Sequence, residues 1–201
     1  MTVHPHLNLP HQGGGMQWDN EYSTPLVGGV RGGGGTVIKI PMTRYHLQKK
    51  EREIKDKNEL LAIIKKGKYT TIALCRNNEP YIVTLSYGYD ELKNALYFHS
   101  RLRGLKYEFI KENSSVCATI IEDRGYIMNE CAHEFRSVII RGKMYAVETI
   151  EEKKYGMDIL LKHLEDNPGK ITQESLSNDT YYKNLGILRL DVAEINGKWG
   201  R

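Results

Sequence analysis

The chain has 201 residues, of which 27% are charged and 40% hydrophobic, a composition typical of a globular protein that can bury a core. The net charge of +4 favours anionic ligands, but the basic residues form no concentrated stripe, which argues against a nucleic-acid partner. No run approaches the roughly 18 apolar residues of a membrane helix, and the N-terminus lacks a secretory-signal pattern, so no membrane association is predicted.

The first 41 residues differ from the rest of the chain. They contain runs of glycine at 13–15, 28–29 and 32–35 and show no apolar periodicity. Such a segment cannot offset its ordering entropy by burial. We therefore predict a flexible leader over residues 1–41, with Val37–Ile40 as a short candidate edge strand, and a folded domain over residues 42–201.

The first predicted element of the domain is a helix. Asp56 and Glu59 form a capping-box pattern, and apolar residues then follow at helical spacing up to Ile64. This predicts a helix over Lys57–Lys66. Alternating or β-branched runs joined by short turns predict three strands after it, at Tyr69–Cys75, Tyr81–Tyr89 and Ala95–Ser100.

The second half of the chain also contains predicted helices and strands. A strand-interior glycine, Gly142, indicates a bend or a close approach of two backbones. A second capping box, Thr149 with Glu152, predicts another helix, which ends near Asp166. The remaining predicted elements are a helix at Gly104–Glu112 and strands at Ser115–Glu122, Phe135–Val147 and Leu185–Ile195. This order predicts a mainly β (α+β) fold, a six-stranded antiparallel barrel with flanking helices.

The turn between the third strand and the second helix has the chemistry of an anion site. Ser100 offers a hydroxyl, and Arg101, Arg103 and Lys106 offer three positive charges. Gly104 lets the backbone approach a ligand closely, and a helix N-terminus presents free N–H groups. A basic surface turn without a ligand explains this run of residues as well.

Four runs of sequence, in order and spacing, resemble the Nim-like (nitroimidazole-resistance) branch of the pyridoxamine 5'-phosphate oxidase-like, FMN-binding split-barrel family. The resemblance spans roughly residues 44–198. The four runs are Pro80–Tyr89, Leu96–Ser100, Gly104–Lys106 and Phe135–Lys143.

This resemblance implies a homodimer of split barrels that holds FMN at the subunit interface. One strand lies along the flavin ring, the turn at Ser100 takes the phosphate, and Ser137 comes close to the ring. Thr84 and Ser86 also face the same way on their strand, as a flavin edge or a solvated strand face would require. The cofactor-binding residues implied are Val83, Thr84, Leu85, Ser86, Phe98, His99, Ser100, Arg103, Gly104, Lys106 and Ser137.

Several roles stay open at this point. His99, the candidate catalytic residue, binds the phosphate, handles substrate or protons beside the flavin, or is structural. Arg136 and Arg141 have opposite strand parity, so one of them can reach a ligand, unless both are exposed strand residues. Trp199 either covers the end of the barrel or contacts the second subunit near the flavin.

The function that the resemblance implies is an oxidoreductase. It would pass electrons from a reduced nicotinamide or another donor, through FMN, to a small organic molecule such as a nitro-aromatic. Tyr81, Ser86 and Leu105 occupy places where the oxidase branch carries two arginines and a lysine, so vitamin B6 oxidation is not expected. The alternatives are a non-catalytic flavin or haem binder, with His133 as the haem ligand, and, more weakly, a nucleic-acid-binding barrel.

The three cysteines predict neither a zinc site nor a disulfide framework, because their spacing and odd number fit neither. Cys75 and Cys117 lie in apolar strand-like runs and are predicted to be small core residues. A reducing cytoplasm is the expected compartment.

Overall fold

The computed structural model describes residues 47–170 and 178–201. The predicted leader and the short strand at Val37–Ile40 lie outside this range. The described strands are β1 (Glu53–Ile54), β2 (Tyr69–Arg76), β3 (Glu79–Ser86), β4 (Gly88–Asp90), β5 (Ala95–Ser100), β6 (Ser115–Ile127), β7 (Ala132–Ala146) and β8 (Gly186–Gly200). The described helices are α1 (Lys57–Lys66), α2 (Leu105–Glu112), α3 (Ile150–Leu164) and α4 (Asp179–Asn184), preceded by a 3₁₀ turn at Lys50–Arg52.

The eight described strands form one antiparallel sheet in the order β3-β2-β6-β7-β8-β5-β4, and β1 pairs with β8. The ends of this order come together, because β3 packs beside β5, but no hydrogen-bonded ladder joins them. The sheet is therefore a barrel with one open seam. The predicted class, a mainly antiparallel split barrel with flanking helices, is confirmed, with eight described strands where six were predicted.

One of the added strands arises from a break at Tyr87. The prediction ran a single strand through Tyr81–Tyr89, but Tyr87 is fully buried and its hydroxyl donates to the Ile64 carbonyl of α1 at 2.5 Å. This anchor ends β3 at Ser86, and the chain continues as β4, which pairs with β5. The other addition, β1, has only two residues.

The barrel core is apolar, and helices cover it. Ile63 and Ile64 of α1 and Phe109 of α2 are buried in the main cluster with the inward residues of the strands. The boundaries of α1 match the prediction, and Asp56 accepts a hydrogen bond from the Asn58 N–H as a helix N-cap does. Helix α3 covers a second, smaller cluster around Tyr97 and Ile187 on the outside of the sheet.

A β-bulge at the centre of the sheet reverses the side-chain pattern of β8. Arg141 pairs with Glu194, but the next residue, Gly142, pairs with Val192, so Ala193 is the extra residue. Both Ile195 and Val192 consequently pack against the core, which a regular strand would not allow. A Cβ atom on Gly142 would overlap the Asp191 carbonyl oxygen. The prediction of a close backbone approach at Gly142 is confirmed.

The prediction that Cys75 and Cys117 are core residues is wrong. Cys75 is exposed and Cys117 is only partly buried. Both occupy outward positions, opposite in parity to the buried Leu74 and Ala118. Periodicity alone could not choose between the two faces because the strands are apolar or small on both.

We expect Gly142→Ala to lower the free energy of unfolding by about 1–3 kcal/mol, the usual cost of overpacking, because the added methyl group meets backbone and not a movable side chain. Urea denaturation measures the change. Gly169→Ala is the matched control, since the nearest atom to its added Cβ would be Asn167 Oδ1 at 3.8 Å, and it should stay within about 0.5 kcal/mol of wild type. Equal unfolding midpoints for the two variants would contradict the proposed crowding at the bulge.

Candidate functional site

The outward side chains of five strands form continuous rows across the sheet. One row begins on β3, crosses β2, β6 and β7 and ends on β8, and its members are Thr84, Thr71, Thr119, Ile139 and Asn196. Within it, the hydroxyls of Thr84 and Thr71 are 3.0 Å apart. Ser86 and Ser137 lie on the same face. The structure thus brings three of the predicted cofactor-binding residues to one surface.

Other predicted residues face the barrel interior. Val83 and Leu85 are partly buried against the main core, and Phe98 is fully buried within it. Their side chains therefore serve packing, and only their backbone groups are available to a ligand. Since β3 has a partner strand on one side only, its other edge presents unpaired backbone groups along the open seam.

Two buried hydroxyls lie together where β5 hands over to α2. Ser100 is 9% exposed, and the Tyr107 hydroxyl lies over Gly186, the residue that pairs with Ser100. Neither hydroxyl oxygen has a hydrogen-bond partner among the described residues outside this pair. Burial raises the pKa of Tyr107, and a hydrogen bond with the Ser100 hydroxyl offsets part of that effect. Two buried hydroxyls that can satisfy only each other retain unused hydrogen-bonding capacity, so this pair favours a polar ligand.

The start of α2 beside these hydroxyls is suited to an anion. No side chain caps the helix, so its first N–H groups stay available. Gly104, at the cap position, has φ 133° and ψ 172°, a conformation that only glycine adopts readily. Among the described residues, no carboxylate forms an ion pair with Arg101, Arg103 or Lys106. The turn therefore carries uncompensated positive charge.

His99 lies on the outer face of β5 at the same end. Its side chain keeps an exposed edge, but burial of the rest lowers its pKa below the ordinary 6.5. The imidazole is therefore neutral at pH 7. A neutral imidazole is suited to donate or accept a hydrogen bond, whereas it cannot serve as a permanent positive charge.

A cavity of about 460 Å³ continues from this turn to α4. His99, Ser100 and Arg101 form one wall, and Tyr181 and Asn184 contribute to the other. The α4 residues were not predicted as part of the site, because nothing local connects a short helix near the C-terminus with a turn some 80 positions earlier. An N-cap residue, Asn178, is the local signal that could have predicted this helix.

The structure places three other residues whose roles the sequence left open, Arg136, Arg141 and Trp199. Arg136 is held by Glu122 and Glu59, at 2.6 and 3.0 Å, so it ties α1 to the sheet. Arg141 is the arginine on the outer face with Ser137. Trp199 lies within β8, where its ring is 5.9 Å from the Arg52 guanidinium.

His133 contacts a carboxylate at the β6–β7 hairpin. Its Nε2 is 2.7 Å from Asp123 Oδ1, and this contact, with the Gly125 N–H, lowers the pKa of Asp123. No group of three or more metal-ligating side chains occurs within the described part of the chain. Likewise, no helix within that part is long and apolar enough to cross a membrane.

The single open seam and the flanking helices define a split barrel, and a basic turn lies at one of its ends. The sequence model of the pyridoxamine 5'-phosphate oxidase family matches residues 56–199. The chain therefore belongs to the pyridoxamine 5'-phosphate oxidase family, and the resemblance stated from sequence is confirmed. No curated protein matches the chain in sequence.

Solved structures with similar folds include a candidate 5-nitroimidazole antibiotic resistance protein from Bacteroides thetaiotaomicron, at 27% identity and a TM-score of 0.61, covering 74% of this chain and 87% of that one. The flavocytochrome Anf3 from Azotobacter vinelandii is 17% identical, with a TM-score of 0.67 and coverage of 79% and 74%. An FAD- and haem-binding protein from Mycobacterium smegmatis is 15% identical, with a TM-score of 0.62 and coverage of 75% and 74%. The last two likenesses concern the fold.

Proposed function

We propose that this protein binds FMN, with the phosphate at the β5–α2 turn. The observation that carries the proposal is the buried pair of hydroxyls, Ser100 and Tyr107, which have no described partner other than each other, beside an uncapped helix start. A phosphate accepts hydrogen bonds from hydroxyls and backbone N–H groups, and Lys106 and Arg103 supply charge-assisted partners. The other residues that the sequence assigned to this end, His99 and Gly104, border the same turn.

The flavin ring, in this proposal, lies along β3 and the outer face of the sheet. The unpaired edge of β3 offers backbone groups, and Thr84 and Ser86 offer hydroxyls that a heterocycle edge requires. Ser137, which is 5% exposed, lies on the same face three strands away. Adjacent strands lie about 4.8 Å apart. One ring system can therefore contact β3 and the strands next to it on this face.

A second copy of the chain completes the site in this proposal. The outer face exposes large apolar side chains, with Ile82 at 64% and Ile121 at 60% exposure, together with Tyr69. Several large apolar side chains exposed on one face of a sheet favour a protein interface there. A two-fold dimer would bury this face and enclose the flavin ring between the subunits.

The chemistry that follows from bound FMN is electron transfer from a reduced nicotinamide, or another donor, to a small organic acceptor. The flavin supplies the redox step, and the protein positions the acceptor and excludes water. Similarity to the Bacteroides protein supports a nitro-aromatic acceptor. His99, neutral at pH 7, borders the turn and would contact the acceptor or the phosphate. The free cysteines favour a reducing, cytoplasmic compartment.

Replacement of both phosphate-side groups, Ser100→Ala with Lys106→Ala, should weaken FMN binding at least roughly 30-fold, because the dianion loses a hydroxyl donor and a charge-assisted partner. Fluorescence titration of the apoprotein measures this. Riboflavin, which lacks the phosphate, should bind both proteins equally. Lys111→Ala, an exposed change in the last turn of the same helix, is the control. Unchanged FMN affinity in the double variant would remove the phosphate assignment.

The redox proposal is tested with the FMN-loaded protein under anaerobic conditions. Added NADH or NADPH should bleach the flavin band at about 450 nm, and a nitro-aromatic should restore it, as flavin-mediated transfer requires. Protein that holds FMN but passes no electrons in either step would be a flavin binder instead, and a Soret band in the protein as isolated would favour haem.

Ile121→Glu should shift the protein towards monomers, raising the dimer dissociation constant roughly 100-fold, because a carboxylate would be buried unpaired in the interface. Light scattering after size-exclusion chromatography gives the mass. Leu92→Glu is the control, since Leu92 is 94% exposed in the β4–β5 turn, away from this face. A monomeric wild type would refute the dimer proposal without touching flavin binding.

A further inference from the structure

The cavity beside the phosphate turn is larger than a phosphate needs. Its volume of about 460 Å³ lies within the roughly 300–1,000 Å³ of small-molecule sites. It is an open depression that begins at Ser100 and Arg101, which belong to the turn, and reaches Tyr181 and Asn184 of α4. A ligand that ended in a single phosphate would leave this extension unused.

The far wall of the cavity is held firmly in place. Tyr182 of α4 is buried in the second core cluster, and the buried Lys153 Nζ donates to its carbonyl at 3.1 Å. Lys154 pairs with Asp179 at 2.7 Å, which neutralises the carboxylate at the start of α4. The wall is therefore preorganised and carries no uncompensated negative charge.

The side chains on that wall suit a flat heterocycle. Tyr181 is 38% exposed and presents an aromatic surface on which a base can stack. Asn184 uses one amide hydrogen on the Thr180 carbonyl, at 3.3 Å, which leaves its carbonyl oxygen and second hydrogen available. An asparagine amide with both groups free forms a paired contact with the N6 and N7 edge of adenine.

The positive charges of the β5–α2 turn also favour a ligand with more than one phosphoryl group. Three cations, Arg101, Arg103 and Lys106, have no carboxylate partner among the described residues. Two of these cations, Arg103 and Lys106, match the charge of one phosphate dianion. Arg101, which lines the cavity, is then available to a second phosphoryl group.

We propose that the cavity between β5 and α4 binds the adenylate portion of a dinucleotide, with Tyr181 stacking on the base, Asn184 on its edge and Arg101 on its phosphate. The inference rests on the proposed function, because the first phosphate occupies the flavin-phosphate turn. The adenylate belongs either to FAD, bound in place of FMN, or to the reduced nicotinamide donor.

Calorimetric titration of the full chain with AMP tests the site directly. The apoprotein should bind AMP, and Tyr181→Ala with Asn184→Ala should weaken this binding roughly tenfold, the loss expected when stacking is removed. FMN affinity should stay within about twofold of wild type, since its phosphate contacts are intact. Lys183→Ala, on the same helix but outside the cavity lining, is the matched control and should change neither affinity.

Two further experiments distinguish FAD from the reduced nicotinamide donor as the source of the adenylate. Tighter binding of FAD than of FMN, with the advantage lost in the double variant and AMP excluded by bound FAD, assigns the site to the flavin. AMP binding to the FMN-loaded protein, with a higher KM for NADPH and an unchanged kcat in the variant, assigns it to the donor.

The inference is overturned if wild-type protein binds FMN but neither binds AMP nor distinguishes FAD from FMN. Failure of the flavin proposal looks different, since FMN and riboflavin would then both fail to bind. The AMP titration does not require bound flavin, and so it tests the adenylate site separately from the flavin proposal.

Discussion

The single extra residue in β8 fixes which side chains every neighbouring strand presents to a ligand. After the bulge Glu194 and Asn196 face outward, whereas Leu188 and Leu190, which precede it, face the core. Because a one-residue slip exchanges the two faces, β5 follows the facing of the β8 residues before the bulge, Gly186–Asp191, with which it pairs. The bulge therefore sets His99 on the outside and Ser100 on the inside of the barrel end.

That placement explains how one short segment serves two surfaces. The outward His99 faces the cavity that reaches α4, whereas the inward Ser100 meets Tyr107 beneath the first turn of α2. Phe109 anchors α2 in the core against Tyr81 at a ring separation of 5.2 Å. The end of the barrel is thus held by core packing around two hydroxyls that have no described partner other than each other, as expected for a preorganised binding site.

The elements that sequence predicted well are those fixed by local chemistry. The ends of α1 follow from the Asp56 cap, and the turn between β5 and α2 follows from its own residue types. What failed depended on distant partners: the break at Tyr87 requires a carbonyl of α1, and β8 continues through Lys198 to Gly200 because β7 and β1 pair with it. The exposed cysteines and the α4 wall of the cavity likewise depend on tertiary placement, which no periodicity encodes.

The two halves of the outer face differ, and the contrast bears on the dimer proposal. Under α3, the outward polar groups are consumed within the chain: Arg189 binds Glu152 at 2.8 Å and Asp191 at 2.6 Å, and Tyr145 donates to Asp191. Over β3, β2 and β6 no helix of the described residues covers the outer face, yet Ile82 and Ile121 stand there at more than half exposure. A face meant for water would carry exposed charged side chains at such positions. The opposite distribution favours a protein partner over the open half, with the flavin ring as part of what it covers.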